Sequence, residues 1–215
     1  MRRRRLVNRG LGALALGTVT MGALVTVPAV GLALTAAPAG AASTSTLSHF
    51  LLKSNEQPGY TVGGRPTTMT TAAGLVEGGP FTAKQSKTII NELKQGGFVK
   101  AVEESTKSTG SNEGFSLVME FSSPAGAQSG AALFLHIAQT GQAGSKPFTI
   151  SGVSGAKGVT VTGSAGGSAN AYWSAGDCAF GSGLYDGTAI SPKAAAAPLE
   201  TGIRSQAKRV GTTCP

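Results

Sequence analysis

Charge is scarce in this chain. Asp, Glu, Lys and Arg together make up 13% of its 215 residues, and aromatics another 6%. There are only two histidines, His49 and His136, and only two cysteines, Cys178 and Cys214. Each shortage excludes something. A His/Cys metal centre needs three or four ligands at close spacing, and the two histidines and two cysteines are scattered singly. A redox pair needs C-x-x-C, which is missing. No G-x-S-x-G nucleophile elbow occurs. The glycine-rich stretches at 152–155 and 163–167 lack the Lys-Ser/Thr ending and following helix of a phosphate loop. No cofactor is expected.

The formal net charge of +8 is misleading. Arg2, Arg3, Arg4, Arg5 and Arg9 cluster at the N-terminus, ahead of an uncharged run from Gly10 to Ala37. That run ends in Pro38-Ala39-Gly40-Ala41-Ala42-Ser43, where Ala39-Gly40-Ala41 is the small-x-small pattern of signal-peptide cleavage. We read 1–41 as a secretory signal, cut between Ala41 and Ala42. Two alternatives stay open: an uncleaved membrane anchor, because about 20 apolar residues span a bilayer, and export by a twin-arginine route. Without the signal, 13 basic residues face 10 acidic ones, a net of +3. Lys208-Arg209 is the longest basic run left, so no nucleic-acid partner is expected. Membrane contact is expected only if the signal is retained.

Residues 42–215 suit a single domain. In an exported chain two cysteines usually pair, so Cys178 and Cys214 are expected to form a disulfide that pins the C-terminal tail.

Local signals then set out the elements. Leu47, Phe50 and Leu51 have helical spacing. Residues 60–71 read as a first strand, irregular in its first half. Thr82 and Gln85 form a capping box, Ile89, Ile90 and Leu93 share one face, and Gly96-Gly97 ends that helix. Residues 98–105 read as a strand or as a prolongation of the helix. Phe115, Leu117, Met119 and Phe121 alternate with Ser116, Val118 and Glu120, as in a half-buried strand. Ser123-Pro124 starts a helix that Gly141 closes. Residues 148–153 and Val159–Thr162 read as strands. Residues 170–174 and 178–185 form a hairpin around Ala175-Gly176-Asp177. Ser191-Pro192 opens a last helix, interrupted or restarted at Pro198, with Leu199, Ile203, Ala207 and Val210 as its apolar stripe.

The order over 46–153 is β-α-β-β-α-β, that of a ferredoxin-like fold. Gly97-Phe98, Phe121-Ser122-Ser123 and Ala127 resemble the corresponding positions of small exported actinobacterial proteins of unknown function with a ferredoxin-like domain. The resemblance implies an architecture and no functional residue. The expected fold class is α+β, a ferredoxin-like core with a disulfide-stapled C-terminal hairpin and helix.

Few residues stand out for chemistry. Neither histidine has a charged neighbour at helical spacing. Asp177 and Asp186 flank one strand and read as turn residues. Glu103-Glu104 reads as a solvated pair at a strand end. Tyr172, Trp173 and Tyr185 are the candidate recognition aromatics: Tyr172 and Trp173 must face opposite sides of a strand, so one belongs to the core and the other is either exposed for a ligand or packed under the C-terminal helix. These features suit an exported, non-catalytic binding or interaction module of the cell envelope. Its partner would be an envelope protein, a small ligand or a second copy of itself. A secreted enzyme with a dispersed site and a structural subunit of an exported complex are the alternatives.

Overall fold

The computed structural model describes residues 47–79, 81–108, 113–141, 143–163, 166–186, 192–211 and 214. Ala41 and Ala42, and with them the cleavage site and the apolar run, lie outside the described residues.

Eight strands form one antiparallel sheet. They are β1 (Tyr60–Val62), β2 (Thr67–Met69), β3 (Phe98–Ser108), β4 (Glu113–Phe121), β5 (Lys146–Thr149), β6 (Lys157–Gly163), β7 (Gly166–Ala175) and β8 (Cys178–Asp186). The spatial order is β1-β3-β4-β8-β7-β6-β5, with β2 lying beside β1 on the same edge of β3. Four helices cover the sheet: α1 (Ala72–Val76), α2 (Ala83–Gln95), α3 (Pro124–Thr140) and α4 (Pro192–Val210).

The sequence explains most element ends. Thr82 Oγ1 accepts from the Gln85 amide, while Gln85 Oε1 accepts from the Thr82 amide at 2.9 Å, so two otherwise orphaned donors of α2 are satisfied. Gly97, at φ 76°, takes the left-handed turn that frees Phe98 to start β3 at once. Ser123 caps α3 by accepting from the Gly126 amide. The β7–β8 hairpin turns at Gly176-Asp177, with Ala175 opposite Cys178, and Gly176 holds φ 53° there.

Several expectations need correction. The pairing is not ferredoxin-like. That fold places its first strand parallel to, and between, later strands; here β2 sits antiparallel on the outer edge of β3, and the other side of β4 is taken by β8. The local order of elements does not determine these long-range pairings. Strand β5 covers only Lys146–Thr149, and Ile150 and Val153 turn inward to the core instead. The segment after Leu47 makes a short 3-10 turn, Ser48–Phe50, rather than an α-helix. Helix α4 runs through Pro198 without a break.

Strand β4 is not half-buried. Ser116, Val118 and Glu120 are as buried as Leu117, Met119 and Phe121, because both faces of the sheet are covered. One core, under α1, α2 and α3, holds Leu75, Ile89, Leu93, Met119, Phe121, Ala127 and Tyr172. The other, under α4 and residues 47–52, holds Leu47, Leu51, Val118, Trp173, Phe180, Leu199 and Ile203. Cys178 and Cys214 form a disulfide across 36 positions and join the end of α4 to β8. No described helix is long and apolar enough to cross a membrane.

Candidate functional site

The recognition aromatics are the first correction. Tyr172 and Trp173 face opposite sides of β7 as expected, yet both are only 4% exposed. A sheet covered on both faces leaves no outward side. Trp173 stacks on Phe180, its cross-strand partner, with centroids 4.1 Å apart. Tyr172 stacks on Phe134 of α3 and lies over Gly181, where a Cβ would approach its ring to 2.9 Å. Burial and the charge of Glu103 push the Tyr172 phenol well above its ordinary pKa. Tyr185 is half-buried near the end of β8.

The other candidates are dispersed. His49 is exposed in the 3-10 turn beside α4, and His136 is exposed on α3 across the sheet. Asp177 and Asp186 stand at opposite ends of β8 and cannot share an ion. Among the described residues no group of three His, Cys, Asp or Glu side chains could hold a metal.

Glu103 and Glu104 are not a solvated pair. They lie in the middle of β3, in register with Leu117 and Ser116 of β4. Adjacent residues of a strand point to opposite faces, so Glu104 is buried on the α4 side while Glu103 is half-buried on the other. Burial pushes the Glu103 carboxyl up to about 7. Burial raises Glu104 as well, and it is 8% exposed.

The two interfaces differ most in their polar groups. Buried side-chain atoms without a hydrogen-bond partner include both ends of the Gln57 amide, Thr106 Oγ1, Ser182 Oγ, Gln206 Oε1, Trp173 Nε1 and Glu120 Oε2. All of them lie on the α4 side. Thr106, Glu120, Trp173 and Ser182 alternate into that face with Val102, Val118 and Phe180. Gln57 packs on Gly202 of α4, where a Cβ would meet its Cβ at 3.3 Å. Gln206 belongs to α4 itself and gives its amide to the Phe50 carbonyl at 2.7 Å.

The floor under these groups is made of two adjoining cross-strand rows, small residues apart from Glu104 and Leu184. One row is Glu104, Ser116, Ser182 and Ala171; the other is Thr106, Gly114, Leu184 and Ala169. Thr106 Oγ1 lies 2.5 Å from where a Cβ on Gly114 would stand, so glycine there makes room for the hydroxyl. Residues 47–57 form the roof. Leu52 gives its amide to Ser116 Oγ at 2.9 Å. Arg209 of α4 clamps the same segment, with Nε and Nη2 each 2.8 Å from a Glu56 carboxylate oxygen and Nη2 also bonded to the Leu51 carbonyl. Burial is the largest influence on the Glu56 carboxyl and would raise it; the Arg209 hydrogen bond, the Lys53 amide and the charges of Arg209 and Lys53 together outweigh it and hold the pKa below the ordinary value. Arg209, which in the sequence stands out only as half of a short basic pair, therefore positions the roof.

Chemically, this interlayer offers a carboxyl, hydroxyls and a primary amide in a shielded setting. It can exchange hydrogen bonds with a small polar guest. It holds no aligned nucleophile–base pair among the described residues.

No protein-family model and no curated protein matches the chain. Among solved structures, the crystal structure of the extracellular domain of PknH from Mycobacterium tuberculosis is similar at a TM-score of 0.48 and 15% identity, over 80% of this chain and 98% of that one. A likeness at this level assigns neither fold nor function.

Proposed function

We propose that this chain is an exported, non-catalytic binding module of the cell envelope, and that its ligand is a small polar molecule held between the sheet and α4. One observation carries the reading: leaving aside Glu120, which Lys100 pairs, every buried polar side-chain atom without a hydrogen bond among the described residues faces that interlayer. Buried polar groups in folded proteins are almost always paired, and each unpaired one costs about 1–3 kcal/mol. Such a concentration on one face suits residues kept for a ligand rather than for stability. Export is supported by the basic-then-apolar N-terminus and by the Cys178–Cys214 bond, which persists in oxidising compartments.

The test is a thermal-shift panel of small polyols, amines, amides and carboxylates, run on the wild type and on a Gln57→Leu, Thr106→Val, Ser182→Ala triple variant. At least one class is expected to raise the wild-type Tm and to leave the variant unmoved. Equal shifts in both proteins would overturn the site. The intact mass of the secreted form tests export: a chain beginning at Ala42 that gains two hydrogens on reduction is expected.

A further inference from the structure

We infer that the interlayer under α4 selects a small organic cation, an amine carrying hydroxyl or amide groups, with Glu104 as its counter-ion. The inference rests on the binding reading above and adds the charge class of the ligand.

Several charged side chains face this layer. Most are matched. Lys100 Nζ stands 3.3 Å from Glu120 Oε2. Arg209 is bonded to Glu56. Arg204, on the outer side of α4, pairs with Glu200. Glu104 is different: it has no cation, hydrogen bond or other charge partner among the described residues, and burial is what raises its pKa. No described lysine or arginine in the layer is left over to receive an anion.

The neutral groups complete the set. Ser116 stands opposite Glu104, and Ser182 opposite Ser116, so their Cβ atoms are spaced about 5 Å apart. Ser116 Oγ already accepts from Leu52, which leaves its proton to donate. Ser182 Oγ, Thr106 Oγ1 and both ends of the Gln57 amide are unpartnered, at 1%, 4% and 3% residue exposure. A neutral polyol would satisfy these groups and leave the Glu104 carboxylate without a counter-charge. An anion would add repulsion. An ammonium pairs the carboxylate by a charge-assisted hydrogen bond, stronger than a neutral one, while hydroxyls on its short skeleton reach Ser182, Thr106 and Gln57.

Three probes of one size separate the charge classes: ethanolamine, ethylene glycol and glycolate. Backbone amide shifts of Leu52, Ser116 and Ser182 are followed by NMR in the natively expressed protein. Ethanolamine is expected to move them at about tenfold lower concentration than ethylene glycol, a difference of about 1.4 kcal/mol, with glycolate weaker than both. In Glu104→Gln the ethanolamine response falls to that of ethylene glycol, which is unchanged. If ethylene glycol or glycolate matches ethanolamine, or Glu104→Gln changes nothing, the charge assignment is overturned while the site stands. If no probe moves these amides, the charge assignment is overturned as well. The binding reading falls with it only if the triple variant above also fails to abolish every thermal shift.

Discussion

The two sides of this sheet are built differently. Under α1, α2 and α3 the backbone comes close. Gly126 sits against the Gly96 carbonyl and Gly130 against the Phe121 ring, leaving no room for a Cβ at either position. The Phe121 ring is packed edge-on by Phe98. Under α4 the fold is held by point fasteners instead: the Cys178–Cys214 bond, the Arg209 clamp on residues 49–56, and the Gln206 bond to Phe50. Between those fasteners lie the unpaired polar atoms. The first side is close-packed in the manner of an ordinary core. The second gives up stability where its hydroxyls and amides are left unpaired.

Cutting a fastener should produce the largest effect. Cys214→Ser removes a cross-link spanning 36 positions, and the chain-entropy model sets its loss at roughly 4 kcal/mol. Hydrogen exchange should then accelerate in α4 and residues 47–52, with α3 still protected. Equal acceleration in both layers would show that the faces are one cooperative unit. On the other side, Gly126→Ala and Gly130→Ala should cost about 1–3 kcal/mol each by overpacking, read as a lower urea midpoint. Gly126→Ala should be the worse, because a backbone carbonyl cannot swing aside as a ring can.

Next comes Glu103, the charged intruder of the packed side. Its folded pKa of about 7 lies above the ordinary carboxyl value of 4.5. The folded state therefore binds more protons than the unfolded state between those values, and stability must fall as pH rises through that window. Glu103→Gln should flatten this slope and gain about 1–3 kcal/mol at pH 8. Urea midpoints of both proteins at pH 5 and pH 8 check it; parallel slopes would contradict the burial of this carboxyl.

What the sequence made legible was local. Thr82 with Gln85, Ser123 with Pro124, and the Gly176-Asp177 turn announce their own structure within four residues, and each appears as read. The stripe of Leu199, Ile203 and Val210 is buried as its spacing required. The α4 helix and the staple were thus available before the fold was. The sheet order was not, because β4 meets β8 across some sixty residues of chain and nothing in either strand names its neighbour. Period-2 reasoning also misled at Ser116 and Glu120. It assumes a wet side, and β4 has none over Ser116–Phe121. Glu103 and Glu104 looked solvated for the same reason. The candidate site escaped altogether: Gln57, Thr106 and Ser182 carry no motif, and only the sheet brings them under one helix.

The smallest expected change is the most telling. If the Thr106 and Ser182 hydroxyls are kept for a ligand, they contribute nothing to folding in its absence. Urea unfolding of Thr106→Val and Ser182→Ala, each without added ligand, tests this directly. Stability unchanged or raised by up to about 1 kcal/mol per hydroxyl is the predicted result. A loss of more than about 1 kcal/mol in either variant would mean that the hydroxyl is structurally paired, and would contradict a face built for binding.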